Sequence, residues 1–237
     1  NKKLPLKQSI PLGIQHVLAM FAGNITVPII VAGVFGSTTA EKIFLIQMAL
    51  FAAGVATIIQ TVGIGKVGSR LPIIQGTSFA FIPIMLPFKA FGLGAIFTAA
   101  FIGGIFQIWI GKMLKPIRHM FPPLVTGIVV LMIGVSLLKV GFMYAGGGGW
   151  LLNNKPEFFG NGNHLLISFT VLIVALVAHQ KGKGMVSSAS ILLGIIAGYI
   201  VAMLLGMVNY GKIASADWFA FPMPFQYGID FVWGAVI

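Results

Sequence analysis

The chain has 237 residues, of which 58% are hydrophobic and only 8% charged, with a formal net charge of +11 and no cysteine. Soluble domains carry about 25% charged residues, so this chain lacks the charge to cover a water-facing surface and its bulk must face lipid. The absence of cysteine excludes a disulfide framework, a thiol nucleophile and cysteine-held metal. The basic residues stand singly between apolar runs, which is not the clustered footprint of a nucleic-acid binder, so no nucleic-acid partner is expected.

A membrane-spanning helix needs about 20 mostly apolar residues. Seven such segments follow one another, at 11–34, 43–64, 71–88, 93–111, 121–140, 163–180 and 186–208, and an eighth begins near Phe231. Lys2, Lys3 and Lys7 before the first segment resemble the start of a signal peptide, but the run behind them carries Gln15, His16 and Asn24 and is too long for one. It reads as the first membrane helix. Gln15 and Thr26 are eleven residues apart, about three turns, and so point nearly the same way. An ionisable group within a span is costly, so His16 is either a proton relay or a structural hydrogen-bonding group.

The third segment departs from a regular helix. It reads Leu71-Pro72-Ile73-Ile74-Gln75-Gly76-Thr77-Ser78-Phe79-Ala80-Phe81-Ile82-Pro83-Ile84-Met85-Leu86-Pro87-Phe88. Proline removes a backbone donor and clashes in a helix interior. Broken backbone at membrane depth survives only when buried in protein or lining a cavity. From Thr77 to Phe81 small or polar residues alternate with aromatic ones, which suits a short extended stretch. Two readings stand. The stretch offers free N–H groups to a planar solute, with Phe79 or Phe81 stacked on it. Alternatively it is a kinked packing helix whose hydroxyls bond to their own backbone.

In the later segments Ser187, Ser188 and Ser190 suit hydrogen bonds between helices, and Gly194 and Gly198, four apart, suit close helix packing. Histidines at segment ends, His119, His164 and His179, suit interfacial roles. Residues 141–162, rich in glycine and asparagine, are expected to form one long external loop. With a cytoplasmic N-terminus the inner side holds ten basic residues, including Lys66, Arg70, Lys112, Lys115, Arg118, Lys181 and Lys183. The outer side holds Lys42, Lys89, Lys139, Lys155 and Lys212 together with Glu41, Glu157, Asp217 and Asp230. The excess of lysine and arginine favours this orientation. Seven spans place a following copy upside down, the inverted-repeat plan of many secondary transporters. The first residue is Asn1, not Met, and the chain is expected to be a fragment of a longer protein, trimmed at both ends.

Two motifs carry a family resemblance. Gln15-His16-Val17-Leu18-Ala19-Met20-Phe21, with Val27-Pro28 behind it, resembles the opening of the nucleobase–ascorbate transporters, also called nucleobase:cation symporter-2. The run from Arg70 to Phe81 resembles their third segment. The resemblance implies an all-α polytopic membrane protein, the first seven-span repeat of a seven-plus-seven inverted-repeat transporter, with a short extended stretch in the broken third span. It implies a core-domain half at 1–115 with spans 1–4, a gate-domain half at 116–210 with spans 5–7, and an external loop and start of span 8 at 211–237.

The implied function is proton-coupled nucleobase symport in the plasma (inner) membrane, with purines such as xanthine or urate favoured by Gln75-Gly76-Thr77-Ser78. The base is expected at Phe79, Ser78, Thr77, Gln75 and Phe81, with His16, Gln15 and Asn24 supporting the site or linked to the proton. The expected partners are the nucleobase, the lipid bilayer, a C-terminal half of the same protein and a second copy in a homodimer. Neither a cofactor nor a metal is expected. The eighth-span acid and tenth-span motif of the family fall beyond Ile237, and no acid lies within a complete span here. Three alternatives remain at this point: a uracil permease of the same family, an anion transporter of the related sulfate-transporter fold, and a non-transporting membrane scaffold. A basic residue in the third segment would favour the anion reading, and polar groups at mid-membrane weigh against the scaffold. An enzyme is not expected, because no paired carboxylates, metal ligands or nucleophile–base pair stand out.

Overall fold

The computed structural model describes residues 5–117, 122–211, 220–223 and 226–236. Lys2, Lys3, Arg118, His119, Lys212 and Asp217 lie outside the described residues. The fold is a set of apolar helices, and among the described residues no strand pairs into a sheet. Helix α1 spans Leu6–Phe35 and ends at Gly36, whose left-handed φ of 68° lets its N–H reach back to Ala32 and Gly33. Helix α2 spans Thr39–Val62. Thr38 and Glu41 set its start: the Thr38 hydroxyl accepts from the Glu41 N–H, and the Glu41 carboxylate accepts from the Thr38 N–H.

After a tight turn at 64–67 the chain runs without helix from Pro72 to Ser78. Helix α3, Phe81–Met85, and a 3-10 turn, Leu86–Phe91, follow. Seven extended residues span up to about 23 Å and five helical ones about 8 Å. A non-helical stretch of this length, followed by one short helix, is long enough on paper for the expected third segment to reach across the roughly 30 Å of hydrocarbon. Gly92, with φ 79° and ψ 172°, then breaks the path, because no helix continues through that conformation. Helix α4 spans Gly92–Ile117 and α5 spans Pro123–Ala145, the latter opening on a proline at its first position.

The expected long loop at 141–162 is shorter and more ordered than its composition suggests. Helix α5 continues to Ala145, α6 occupies Gly149–Asn154, and a 3-10 turn covers Pro156–Phe158. Gly147 and Gly148, at φ 115° and 90°, make the reversal, and the Gly160 N–H closes the loop on the Gly146 carbonyl at 2.8 Å.

Helix α7 spans Gly162–Lys181, α8 spans Met185–Ser188, α9 spans Ser190–Leu204, and α10, Trp233–Val236, stands where the eighth segment is expected. Among the described residues five stretches are long and apolar enough to cross a membrane: Ser9–Phe35, Thr39–Val62, Phe81–Leu114, Pro123–Ala145 and Gly162–Lys181. The third of these holds the end of the expected third segment, from Phe81, and the expected fourth, on either side of Gly92. The expected seventh is the pair α8 and α9, of which α9 has 15 residues. α7 and α9 pack through glycines. A Cβ on Gly194 would stand 2.7 Å from the Val171 carbonyl oxygen, and one on Gly198 would overlap the Val171 side chain. α1 is the centre of the fold, its Val27 and Val31 forming a buried cluster with Ile82 of α3.

Candidate functional site

The candidate site is built around the non-helical stretch 72–78, whose backbone cannot satisfy itself. Two neighbouring helices supply the partners. From α2, the Thr57 hydroxyl accepts from the Gln75 N–H at 2.9 Å and faces the Gln75 carbonyl oxygen at 3.5 Å. From α1, the Asn24 side-chain carbonyl accepts from the Thr77 N–H at 2.8 Å. The Thr77 hydroxyl donates to the Asn24 backbone carbonyl at 3.1 Å.

That last bond has its cause four residues along α1. In a regular helix the Asn24 carbonyl accepts from residue 28, but Pro28 has no N–H to give. The proline frees an acceptor deep in the span, and Thr77 takes it. Asn24, 2% exposed, also donates to the Ala49 carbonyl at 3.3 Å, so one side chain ties α1, α2 and the stretch together. Gly76 permits this close approach: a Cβ there would stand 3.3 Å from the Asn24 Oδ1 and 3.4 Å from Met20.

Gln75 and Thr77 turn their N–H groups to the helices. The N–H groups of Gly76, Ser78 and Phe79 meet no acceptor among the described residues. The extended backbone ends sooner than expected. The Ser78 hydroxyl accepts from the Ala80 N–H at 3.3 Å, the Ser78 carbonyl from Phe81 and the Phe79 carbonyl from Ile82. This turn starts α3, so Phe79 and Phe81 do not share one face of a strand. Phe79 is half-buried against the Val27, Val31 and Ile82 cluster, whereas Phe81 is 49% exposed on α3.

The other expected site residues fall on two sides of the stretch. Gln15 and His16 line a groove of about 440 Å³ with Ala19, Met20, Ile74 and Ser188. The Gln15 amide donates to the Ser188 hydroxyl at 3.0 Å, which joins α1 to α8. The His16 Nδ1 lies 2.8 Å from the Leu12 carbonyl. A carbonyl only accepts, so Nδ1 carries the proton and Nε2 of the neutral ring remains an acceptor. Thr77 instead borders an apolar cavity of about 730 Å³ on the opposite side, with Val27, Pro28, Phe97 and Phe101. Thr26 does not join Gln15: its hydroxyl bonds back to the Ala22 carbonyl at 2.7 Å.

Thr57 and Pro28 are participants that sequence reasoning passed over. Pro28 carried a legible signal, an asparagine and a proline four apart in one helix. Thr57 carried none, because a threonine in an apolar helix most often bonds to its own backbone.

Comparison with known proteins places this arrangement. Residues 7–237 match the model of the xanthine/uracil permeases, described as Permease family. The chain belongs to the nucleobase–ascorbate transporter family. Among curated relatives of this family, a Clostridium perfringens protein with a provisional purine permease name, CPE0397, is 38% identical over 96% of this chain and 50% of its own length. The uric acid transporter UacT of Escherichia coli is 36% identical over 93% of this chain and 45% of its own length. A xanthine permease of Bacillus subtilis is 33% identical over 93% of this chain and 50% of its own length. The chain thus spans about half the length of the curated relatives it matches. As a family member with five apolar helices of spanning length among the described residues, it is an integral membrane protein.

Proposed function

We propose that this chain forms the first seven-span half of a proton-coupled nucleobase symporter, with purines such as xanthine or urate as substrates. The observation that carries the reading is the stretch 72–78. Its backbone is held from α1 and α2 at Gln75 and Thr77, which leaves the N–H groups of Gly76, Ser78 and Phe79 unclaimed by the described residues. A purine is planar and rich in acceptors, so it suits a row of backbone donors beside an aromatic ring. In this reading Phe79 and Ser78 touch the base, Gln75 and Thr77 shape the stretch, and Phe81 stands at its edge. Asn24 holds the stretch in place. Gln15 and His16, in the adjoining groove, sit beside the proton's path, with the free Nε2 of His16 as acceptor.

The rest of the reading concerns the whole protein. Residues 1–115 belong to a core domain and 116–210 to a gate domain, each completed by a C-terminal repeat of inverted topology. The relatives named for uric acid and xanthine transport favour a purine. The N-terminus faces the cytoplasm across the plasma membrane, and the assembled transporter is a homodimer.

The test is uptake of labelled xanthine, urate and uracil into cells lacking their own base permeases. One set of cells expresses this chain alone. Another expresses it joined to the C-terminal half of the Bacillus subtilis xanthine permease. The joined protein is expected to take up xanthine or urate in preference to uracil, with uptake abolished by a protonophore, and the chain alone to give background. Robust uptake by the chain alone would remove the half-transporter reading. A joined protein at normal surface levels that carries no base would remove the nucleobase reading.

A further inference from the structure

Thr57 differs from four other threonines in these helices in where its hydroxyl proton goes. Thr26, Thr61, Thr98 and Thr170 each donate the hydroxyl to the carbonyl four residues back in their own helix. Thr57 turns its hydroxyl out of α2 and spends it on the backbone of Gln75, eighteen residues along the chain. A hydroxyl has one proton and two lone pairs, so it can serve both polar atoms of one peptide residue. No other partner for the Gln75 backbone N–H exists among the described residues. In lipid such a group left alone is costly. The Thr57 hydroxyl therefore sets where Gln75 sits against α2, and Asn24 sets where Thr77 sits against α1. With both residues pinned, the direction of the intervening Gly76 and the following Ser78 is set as well.

We propose that Thr57 is a positioning residue for the substrate-binding stretch: it touches no substrate and acts through Gln75. The proposal rests on the reading of 72–78 as the binding element, and the experiment separates the two. The chain has no cysteine, so with any cysteines of the joined C-terminal half replaced by serine, Ser78→Cys gives a single thiol reporter on the stretch. Its reaction rate with N-ethylmaleimide in membranes reports how tightly the stretch is held. Substrate KM and the maximal rate per surface molecule are measured without the reporter, both in the joined protein described above. Thr57→Val keeps the shape and removes the hydroxyl, and Thr57→Ser keeps the hydroxyl.

Loss of the one partner of a part-buried N–H corresponds to about a 5- to 150-fold effect. Thr57→Val is expected to raise the reaction rate of the reporter thiol and the xanthine KM by factors in that range. The maximal rate should stay within about twofold, and Thr57→Ser should restore both quantities. An unchanged thiol reaction rate in Thr57→Val overturns the positioning role, whatever happens to KM. A raised thiol reaction rate with an unchanged KM upholds the positioning of the stretch and overturns its role in binding. Should Thr57→Val fail to reach the membrane, Thr57→Ala removes the same hydroxyl without bulk beside Gln75 and is read by the same outcomes.

Discussion

The Pro28–Asn24–Thr77 arrangement makes a prediction whose sign is unusual. Thr77→Val removes the hydroxyl that donates to the Asn24 carbonyl at 3.1 Å, while the Thr77 N–H keeps its bond to the Asn24 side chain. Because Pro28 has no N–H, the carbonyl is then left without its partner. Hydrogen bonds between membrane helices average about 0.6 kcal/mol, and an orphaned buried acceptor costs about 1–3 kcal/mol. Thr77→Val should therefore destabilise by about 1–2 kcal/mol. In a Pro28→Ala background residue 28 regains an N–H, which closes the ordinary helical bond to Asn24. The same Thr77→Val change should then cost less than about 0.5 kcal/mol. The double-mutant cycle isolates a coupling of about 1 kcal/mol in which the second mutation cancels the harm of the first. The assay is reversible unfolding in phospholipid micelles titrated with sodium dodecyl sulfate, with all four proteins prepared alike. Additive costs, within about 0.3–0.5 kcal/mol, would refute the claim that the proline frees the carbonyl for Thr77.

Other outcomes follow from the same structure. Phe79→Ala is expected to weaken apparent base affinity by about 5- to 150-fold, as removal of a stacking ring does elsewhere, while the exposed Phe81→Ala changes it less than about twofold. Uptake competition with surface expression checked decides, and wild-type affinity in Phe79→Ala sinks the site. Single cysteines at Lys155 and Lys183, both exposed, should label from outside and from inside respectively with an impermeant thiol reagent. Labelling of intact cells at position 183 alone reverses the orientation. Gly194→Val forces a side chain onto the Val171 carbonyl and should cost about 1–3 kcal/mol in the unfolding assay, whereas Gly127→Val, with nothing within 4 Å, should be neutral. Equal behaviour of the two variants would contradict the α7–α9 packing.

Much of this is legible in the sequence because the bilayer restricts the choices. Apolar runs of spanning length can only be helices, and α1, α2, α4, α5 and α7 lie within a few residues of their expected positions. The broken third segment announces itself through Pro72, Gly76 and Pro83. What stays hidden depends on tertiary partners. The alternation predicts extended backbone as far as Phe81, but the Ser78 hydroxyl caps a turn and α3 begins there. Free backbone donors are expected throughout the stretch, yet those of Gln75 and Thr77 are taken by Thr57 and Asn24. Sequence shows which groups a stretch leaves unpaired, while only the fold shows which neighbours answer them. The glycine-rich loop differs for a related reason: Gly146 accepts the close contact of Phe159, which no local pattern reveals.

The position of polar residues along α1 follows from the same constraint. A segment that crosses partly extended needs neighbours bearing polar side chains, and those neighbours cannot themselves face lipid. α1 is the most enclosed of the long helices, with Ala22, Asn24, Val27, Val31 and Ala32 buried, whereas no described residue of α7 is buried. α1 carries Gln15, bonded to Ser188 of α8, and Asn24, bonded to Ala49 and Thr77. Its Pro28 frees the Asn24 carbonyl, while His16 bonds back to Leu12 of its own helix. The polar groups of α7 within the apolar span are small hydroxyls: Thr170 turns back onto its own helix, and Ser168 donates to the Ala145 carbonyl at the end of α5. A helix with no broken neighbour to serve needs only a few small polar groups, which a carbonyl of its own or of the next helix can answer. A helix that serves a broken neighbour must instead present amides and freed carbonyls on one side. By that reasoning α1 and the stretch 72–78 form one structural unit, and substitutions at Asn24 should be felt at Gly76 and Ser78 before they are felt at the lipid-facing surface.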